Sequence, residues 1–309
     1  MKTAEQVSLV TGGGGFVGRY LTTHSAEQGD DVVTLDRSGD EPIDITDRDA
    51  THAAFAKHEP EVVYHLAALS HVGDSWDDPG AVYRVNVEGT AYVLDAARAV
   101  GVRRVVVVGS AEEYGRVDPV DLPLREDAPL RPTTPYGVSK VAASYLALQA
   151  HLAHGLDAIR VRAFSHTGPG QSDRFLVPAL AGRIAAAERE QRDEIRAGSL
   201  DPVRDLSDVR DVVRAYRALA QHGAAGEVYN VCSGSGVSVR EIADHLLAAA
   251  RRPLRITVDP DLVRPVDVPR LVGDSSRLRD DTGWRPAYGL DETLAAVLED
   301  ARARAHLTG

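Results

Sequence analysis

Val7-Ser8-Leu9-Val10-Thr11-Gly12-Gly13-Gly14-Gly15-Phe16-Val17-Gly18 decides the fold. Val7 to Val10 is a short β-branched and aliphatic run, which predicts a strand. A helical pattern then runs from Phe16 to about Gln28. Strand, glycine turn and helix in this order form the context in which a dinucleotide is held. Gly12 makes the tight turn, Gly15 lets the backbone approach a pyrophosphate, and Gly18 lets the helix close on the strand. The helix-start amides, those of Phe16 and Val17 among them, then face the phosphates. A flexible glycine loop is the competing reading, and the flanking strand and helix weigh against it.

The alternation continues outward from this unit. A second strand, Asp31 to Leu35, ends at Asp36-Arg37. A carboxylate there accepts hydrogen bonds from the adenosine ribose hydroxyls and favours NAD. Arg37 beside it can pair with a 2′-phosphate, so NADP stays open. Asp44-Ile45 is expected to close a short third strand and flank the adenine, a plain turn being the equal alternative. A helix is expected from about Asp47 to Lys57, then a buried strand Val62-Val63-Tyr64-His65-Leu66-Ala67-Ala68. The small residues at its end, with Leu66, Ala67 and Ala68 nearest, let the backbone pass close to a cofactor. His65 reads as a packed histidine. One long helix is expected over about Pro79 to Val100, carrying Asn86-Val87-Glu88-Gly89-Thr90. Val105 to Ser110 is a continuous apolar run of the kind found in central parallel strands. The fold class is therefore α/β, a doubly wound parallel sheet.

Chemistry points to Pro135-Tyr136-Gly137-Val138-Ser139-Lys140. On a helix, Tyr136 and Lys140 share one face. An ammonium beside a phenol stabilises its anion and lowers its pKa. Such a tyrosine can give or take a proton near neutral pH. Ser110 lies at a strand's carboxyl end, where ligands of such sheets sit, and its hydroxyl can hold a carbonyl oxygen. Of the 35 lysines and arginines, only Lys2, Lys57 and Lys140 are lysines. A lysine kept here implies a need for a compact point charge. The proline-rich stretch Ala111 to Thr134 between these groups is long for a bare connection and implies a lid or wall.

Composition narrows the classes. The 309 residues with 43% apolar content suffice for a sizeable core. A net charge of −11 argues against nucleic acid or a membrane surface as the main partner, but leaves room for an anionic substrate met by local arginines. Cys232 is the single cysteine, so neither a disulfide framework nor a thiolate metal site is expected, and no metal is called. With no apolar leader or spanning segment read, a cytoplasmic protein is expected.

Thr11-Gly-x-x-Gly-x-x-Gly18, Asp36, His65-Leu-Ala-Ala68, Asn86-x-x-Gly89-Thr90, Ser110-x-x-x-Tyr114-Gly115 and Tyr136-x-x-x-Lys140 together resemble the extended short-chain dehydrogenase/reductase family acting on nucleotide sugars. The resemblance covers nearly the whole chain in the family's order. Gly109 to Gly115 and Arg162 to Gln171 are similar to its GDP-4-keto-6-deoxy-D-mannose reductase branch, which usually has asparagine where Ser165 stands. That departure removes an amide that binds substrate in the family. The resemblance implies that Tyr136 is the proton donor or acceptor. It also implies that Lys140 lowers the tyrosine pKa and binds the nicotinamide ribose, and that Ser110 bonds the oxygen at sugar C4. Glu112 stands where related 4,6-dehydratases carry the base that removes the C5 proton; a structural glutamate is the alternative.

After a strand over about Ala158 to Arg162, the elements shorten. A dinucleotide-binding domain over 1–163, with chain crossing back around 206–222, and a smaller α/β substrate domain over 164–309 are expected. By the same resemblance Arg204 meets the diphosphate, Arg264 is a second such arginine, and Asp267 lies toward the nucleoside ribose. Arg174, Phe175 and Val177 are expected to wall the nucleoside pocket. Trp284 and the helix from Leu290 read as packing. The combined expectation is NAD(P)-dependent reduction of a nucleotide-activated 4-keto-6-deoxyhexose by a homodimer. A 4,6-dehydratase or 4-epimerase that retains NAD is the alternative, and a non-catalytic dinucleotide sensor ranks lower.

Overall fold

A strand with apolar side chains on both faces is stable only between two layers of helices. The computed structural model describes residues 6–39, 41–262 and 268–307 and shows that arrangement. The strands are β1 (Val7–Thr11), β2 (Asp31–Leu35), β3 (Val62–His65), β4 (Arg104–Ser110), β5 (Ala158–Ala163), β6 (Ser165–Thr167), β7 (Glu194–Ala197), β8 (Val203–Asp208), β9 (Val228–Val231), β10 (Gly236–Ser238), β11 (Arg255–Val258) and β12 (Arg270–Leu271). The helices are α1 (Phe16–Glu27), α2 (Arg48–His58), α3 (Pro79–Tyr83), α4 (Gly89–Ala99), α5 (Pro135–His154), α6 (Leu176–Arg189), α7 (Val209–His222), α8 (Val239–Ala248), α9 (Ser276–Thr282) and α10 (Leu290–Leu307).

The main sheet runs β2-β1-β3-β4-β5-β9, and all its pairings are parallel. Alternate residues of each strand face opposite layers. Val106 and Val161 point to the side of α1 and α7, where Val212, Tyr216 and Leu219 pack. Val105 and Val107 point to the other side, against Phe55 of α2, Val93 of α4 and Ala147 of α5. This is the doubly wound α/β fold. The strand order turns outward between β1 and β3, so a crevice opens at their carboxyl ends.

Three details differ from the sequence reading. The short third strand before Asp44 does not form. Asp36 and Pro42 make only an isolated bridge, and Asp44 instead accepts from the amide and hydroxyl of Thr46 in a turn leading to α2. The helix expected over Pro79 to Val100 runs from Pro79 to Ala99, but it contains a π-helical turn, Arg84–Glu88, between α3 and α4. That turn is where Asn86 reaches out of the helix, as such bulges often mark special positions. Finally, β9 lies beside β5, so the chain returns to the main sheet twice after residue 164, through α7 and again through β9.

Beyond the sheet, α6, α8, α10 and β7 enclose a second core around Leu180, Ile184, Ile242 and Val297. Strand β8 pairs with β6, β10 and β12 at the junction. The stretch 111–134 is a packed wall. Tyr114 and Leu124 share an apolar cluster with Phe164, Cys232 and Leu271. Leu124 exchanges backbone bonds with Val272 and Asp274 at 2.9 and 2.8 Å.

Candidate active site

The turn after β1 begins the site. Gly12 has φ +73°, a left-handed conformation that favours glycine. A Cβ on Gly18 would stand 2.2 Å from the Gly12 carbonyl, so α1 closes on the turn only because that atom is missing. Gly15 caps α1 and brings no side chain across its first amides. Gly12, Gly15, Phe16, Val17 and Gly18 line one end of a cavity of about 810 Å³. Asp36 and Arg37 line the same end, with Asp44 and Ile45 beside them. Asp36 Oδ2 accepts from the Gly14 amide at 3.1 Å, which aims its carboxylate along the turn. The helix start and this acid together make a cradle that suits a dinucleotide.

Leu66, Ala67 and Ala68 pass along the cavity as small wall residues. Below them His65 is buried, and both its ring nitrogens are occupied. The Thr11 hydroxyl lies 2.7 Å from Nδ1 and accepts from the Ala67 amide at 3.3 Å, so its proton goes to the ring. The Thr90 hydroxyl donates to the Asn86 carbonyl at 2.6 Å, so it accepts from Nε2–H at 2.9 Å. This chain fixes one neutral tautomer. Burial and then the charge of Lys140 hold the imidazole down at about 3.

At the cavity centre stand Ser110, Tyr136 and Lys140. Thr134 caps α5 by accepting from the Gly137 amide at 3.0 Å, and Pro135 opens the first turn. Such a cap contributes about 1 kcal/mol and sets the helix start one turn before Lys140. Asn86 fixes the same helix from the side. Its amide donates to the Ser139 hydroxyl at 2.9 Å and to the Leu69 carbonyl at 3.1 Å, and its oxygen accepts from the Leu69 amide at 2.8 Å. Ser110 ends β4 and caps the next turn, accepting from the Glu112 amide at 3.1 Å.

The electrostatics differ from the expectation of a depressed phenol. Burial pushes Tyr136 above the usual tyrosine range; the Ser110 hydroxyl draws it down, while Glu112 and Glu113 add to the rise. The Lys140 ammonium donates to the Val108 carbonyl at 2.8 Å and lies 5.9 Å from the centre of the Tyr136 ring. Burial lowers Lys140 to about 8, with Glu113 opposing. The pair is thus a protonated phenol beside a cation held loosely enough to titrate near neutral pH.

Glu112 and Ser165 line the cavity beyond Ser110. Val177 is buried in its far wall, and Arg174 stands at the rim. The Arg174 guanidinium pairs with Asp74, which also holds His71 at 2.7 Å. Arg204 lines the far end and donates to the Val203 and Val268 carbonyls at 2.9 and 2.7 Å. Arg264 and Asp267 lie outside the described residues. Phe175, expected from the sequence to wall the nucleoside pocket, lines the cavity too, as does His166, to which the sequence reading gives no role. His166 stacks on Phe16 at 6.4 Å with Nδ1 2.9 Å from the Phe164 carbonyl. Its place between Ser165 and Thr167, at the end of the sheet, was the available signal.

A dinucleotide cradle running into a serine, tyrosine and lysine defines a class of nicotinamide enzyme. The chain belongs to the NAD dependent epimerase/dehydratase family, which matches residues 8–232. It is 35% identical to GDP-6-deoxy-D-mannose reductase of Pseudomonas aeruginosa over 96% of this chain and 97% of that one. It is 33% identical to UDP-glucose 4-epimerase of Streptomyces lividans over 90% and 91%. The structure of RMD from Pseudomonas aeruginosa complexed with NADPH is similar to it with a TM-score of 0.89 and 34% identity, over 97% of this chain and 99% of that one. Among the described residues no helix is long and apolar enough to cross a membrane.

Proposed function

We propose that the protein reduces the C4 keto group of a nucleotide-linked 4-keto-6-deoxyhexose, GDP-linked by preference, with NAD(P)H. The observation that carries this reading is the buried Tyr136 phenol, kept protonated beside Ser110 in a cavity continuous with the dinucleotide cradle. Similarity to GDP-6-deoxy-D-mannose reductase over nearly the full chain supports the same direction.

When bound, the dinucleotide supplies the hydride. The residues of the chain do the rest. Tyr136 gives its proton to the oxygen at sugar C4 as that oxygen gains charge. Ser110 donates a hydrogen bond to the same oxygen and orients the carbonyl. Lys140 stabilises the phenolate left behind and reaches the ribose of the cofactor. Gly12, Gly15, Gly18 and the amides of Phe16 and Val17 hold the pyrophosphate. Asp36 takes the ribose hydroxyls in NADH and Arg37 the 2′-phosphate in NADPH. Arg204 holds the sugar diphosphate, with Arg174, Val177 and Ser165 around the nucleoside and sugar. Glu112 walls the sugar pocket near Tyr136. The division of labour follows a dinucleotide-binding part over 1–163 and a substrate part after it.

Two copies are inferred to pair through α3 and α5. Tyr83, Val138 and Tyr145 leave apolar surface exposed on those helices. A cytoplasmic location follows from this substrate class.

The experiment is a stoichiometry. A GDP-4-keto-6-deoxyhexose should consume one NADPH or NADH per sugar reduced. Turnover of GDP-mannose or UDP-glucose with no net cofactor consumption overturns the reductase reading in favour of a dehydratase or epimerase.

A further inference from the structure

We propose that Glu113 is a positioning residue: its buried carboxylate fixes the Ser110 backbone and is the counter-charge that keeps Lys140 cationic. This rests on the roles given above to Ser110 and Lys140. The motif reading of this stretch took in Ser110, Glu112 and Tyr114 and left Glu113 without a part.

Glu113 is fully buried. Its Oε1 accepts from the Ser110 amide at 3.0 Å, and its Oε2 accepts from Arg162 Nε at 3.0 Å. With both oxygens accepting, the group is a carboxylate; burial raises its pKa against the pull of Arg162 and the Ser110 amide. Space is reserved for it. A Cβ on Gly109 would lie 2.1 Å from Oε1 and 2.5 Å from the Val161 carbonyl. Arg162 is itself fixed, donating to the Tyr114 hydroxyl at 3.0 Å and the Glu126 carbonyl at 2.8 Å. The strut is therefore built from β5 and the wall and bears on the last residue of β4. A hydroxyl on a backbone held this way needs no reorganisation to meet a carbonyl oxygen.

The charges around it decide the second role. Glu113 is faced by Arg162 and Arg160 from β5 and by Tyr136 and Lys140 from α5. Lys140 is faced by His65 from β3, which is neutral, and by Glu113 from the wall. The Lys140 ammonium donates to the Val108 carbonyl while Glu113 Oε1 sits at Gly109 and the Ser110 amide, so the two charges flank the same short stretch of β4. Burial works against the ammonium, and among the described residues Glu113 is the anion that opposes it. An ion pair acting across a dry interior falls off slowly, so contact is not required.

The test measures NADPH binding by nicotinamide fluorescence against pH, alongside kcat. Wild-type binding should weaken as pH rises through the lysine's value near 8. Glu113→Gln keeps the shape and removes the charge; the midpoint should move down by about one pH unit. Glu113→Asp keeps the charge and shortens the reach to Ser110. Its midpoint should stay, while kcat falls at least about tenfold with KM little changed. If Glu113→Gln does not fold, the double variant Glu113→Gln/Arg162→Gln removes that ion pair as a unit; Lys140 still loses the anion that faces it, and the midpoint should still move down. An unmoved midpoint in the folded neutral variant overturns the counter-charge role, and an unchanged kcat in Glu113→Asp overturns the positioning role. Cofactor binding requires no sugar. A wild type that shows the binding midpoint but no turnover of the keto sugar refutes the substrate reading alone.

Discussion

The side-chain amide of Asn86 donates to the Ser139 hydroxyl at 2.9 Å, joining a π-helical turn to the residue before Lys140. Ser139 passes its own proton to the Tyr136 carbonyl at 2.7 Å. The turn that carries Asn86 thus ends on the backbone of the catalytic helix.

Replacing Asn86 by alanine leaves Ser139 and both backbone groups of Leu69 without their buried partner. A loss of at least about 2 kcal/mol is expected. Thermal melts should show it as a drop of several degrees, and kcat should fall with it because α5 loses its lateral support. A variant with unchanged melting and unchanged kcat removes Asn86 from this role.

Tyr136→Phe deletes one oxygen and keeps the ring. Turnover should fall by about 10²-fold to 10⁴-fold, the usual weight of a positioned acid. NADPH affinity should change little. Retained turnover means that the proton comes from elsewhere.

His65 supplies a pH signature. Its ordinary value of 6.5 applies to the unfolded chain, and the folded value is about 3. Between these the unfolded chain binds the extra proton. Stability from this group is complete above about pH 6.5 and is lost as pH falls, at about 1.4 kcal/mol per unit. Urea titrations near neutral pH and near pH 5 should differ by about 2 kcal/mol on this account. His65→Gln should show a shallower dependence; equal slopes would mean that the buried imidazole is not the titrating group.

Arg204→Ala tests the diphosphate end. A charge-assisted bond lost at a phosphate should raise KM for the nucleotide sugar about tenfold or more, with kcat much less affected. An unchanged KM places the diphosphate elsewhere.

What could be read from the sequence was local. The glycine turn announces itself because turn, strand and helix lie within a dozen residues, and Tyr136 and Lys140 because a helix sets their spacing. The strut beneath Ser110 was not readable: Glu113 and Arg162 are 49 positions apart, and only the β4–β5 pairing brings them together. The π-helical turn at Arg84–Glu88 is not legible for a related reason: its composition is that of an ordinary helix, and the bonds of Asn86 to Leu69 and Ser139 that accompany the turn are tertiary. The direction of the Tyr136 shift is not legible either, because spacing reports a neighbouring cation but not the depth of burial.

The wall over 111–134 has a consequence of its own. Ser110 stands immediately before it and Tyr136 almost immediately after it, so the hydroxyl and the phenol are the two ends of one tether. That tether is glued to Phe164 and Cys232, which follow β5 and β9 of the main sheet, and to Leu271 of β12 in the second sheet. The stretch between hydroxyl and phenol is thus anchored to both sheets at once. The wall is then a brace: a cut in it would loosen the rim of the cavity, while the hydroxyl and the phenol stay together through the packing of α5 on β4.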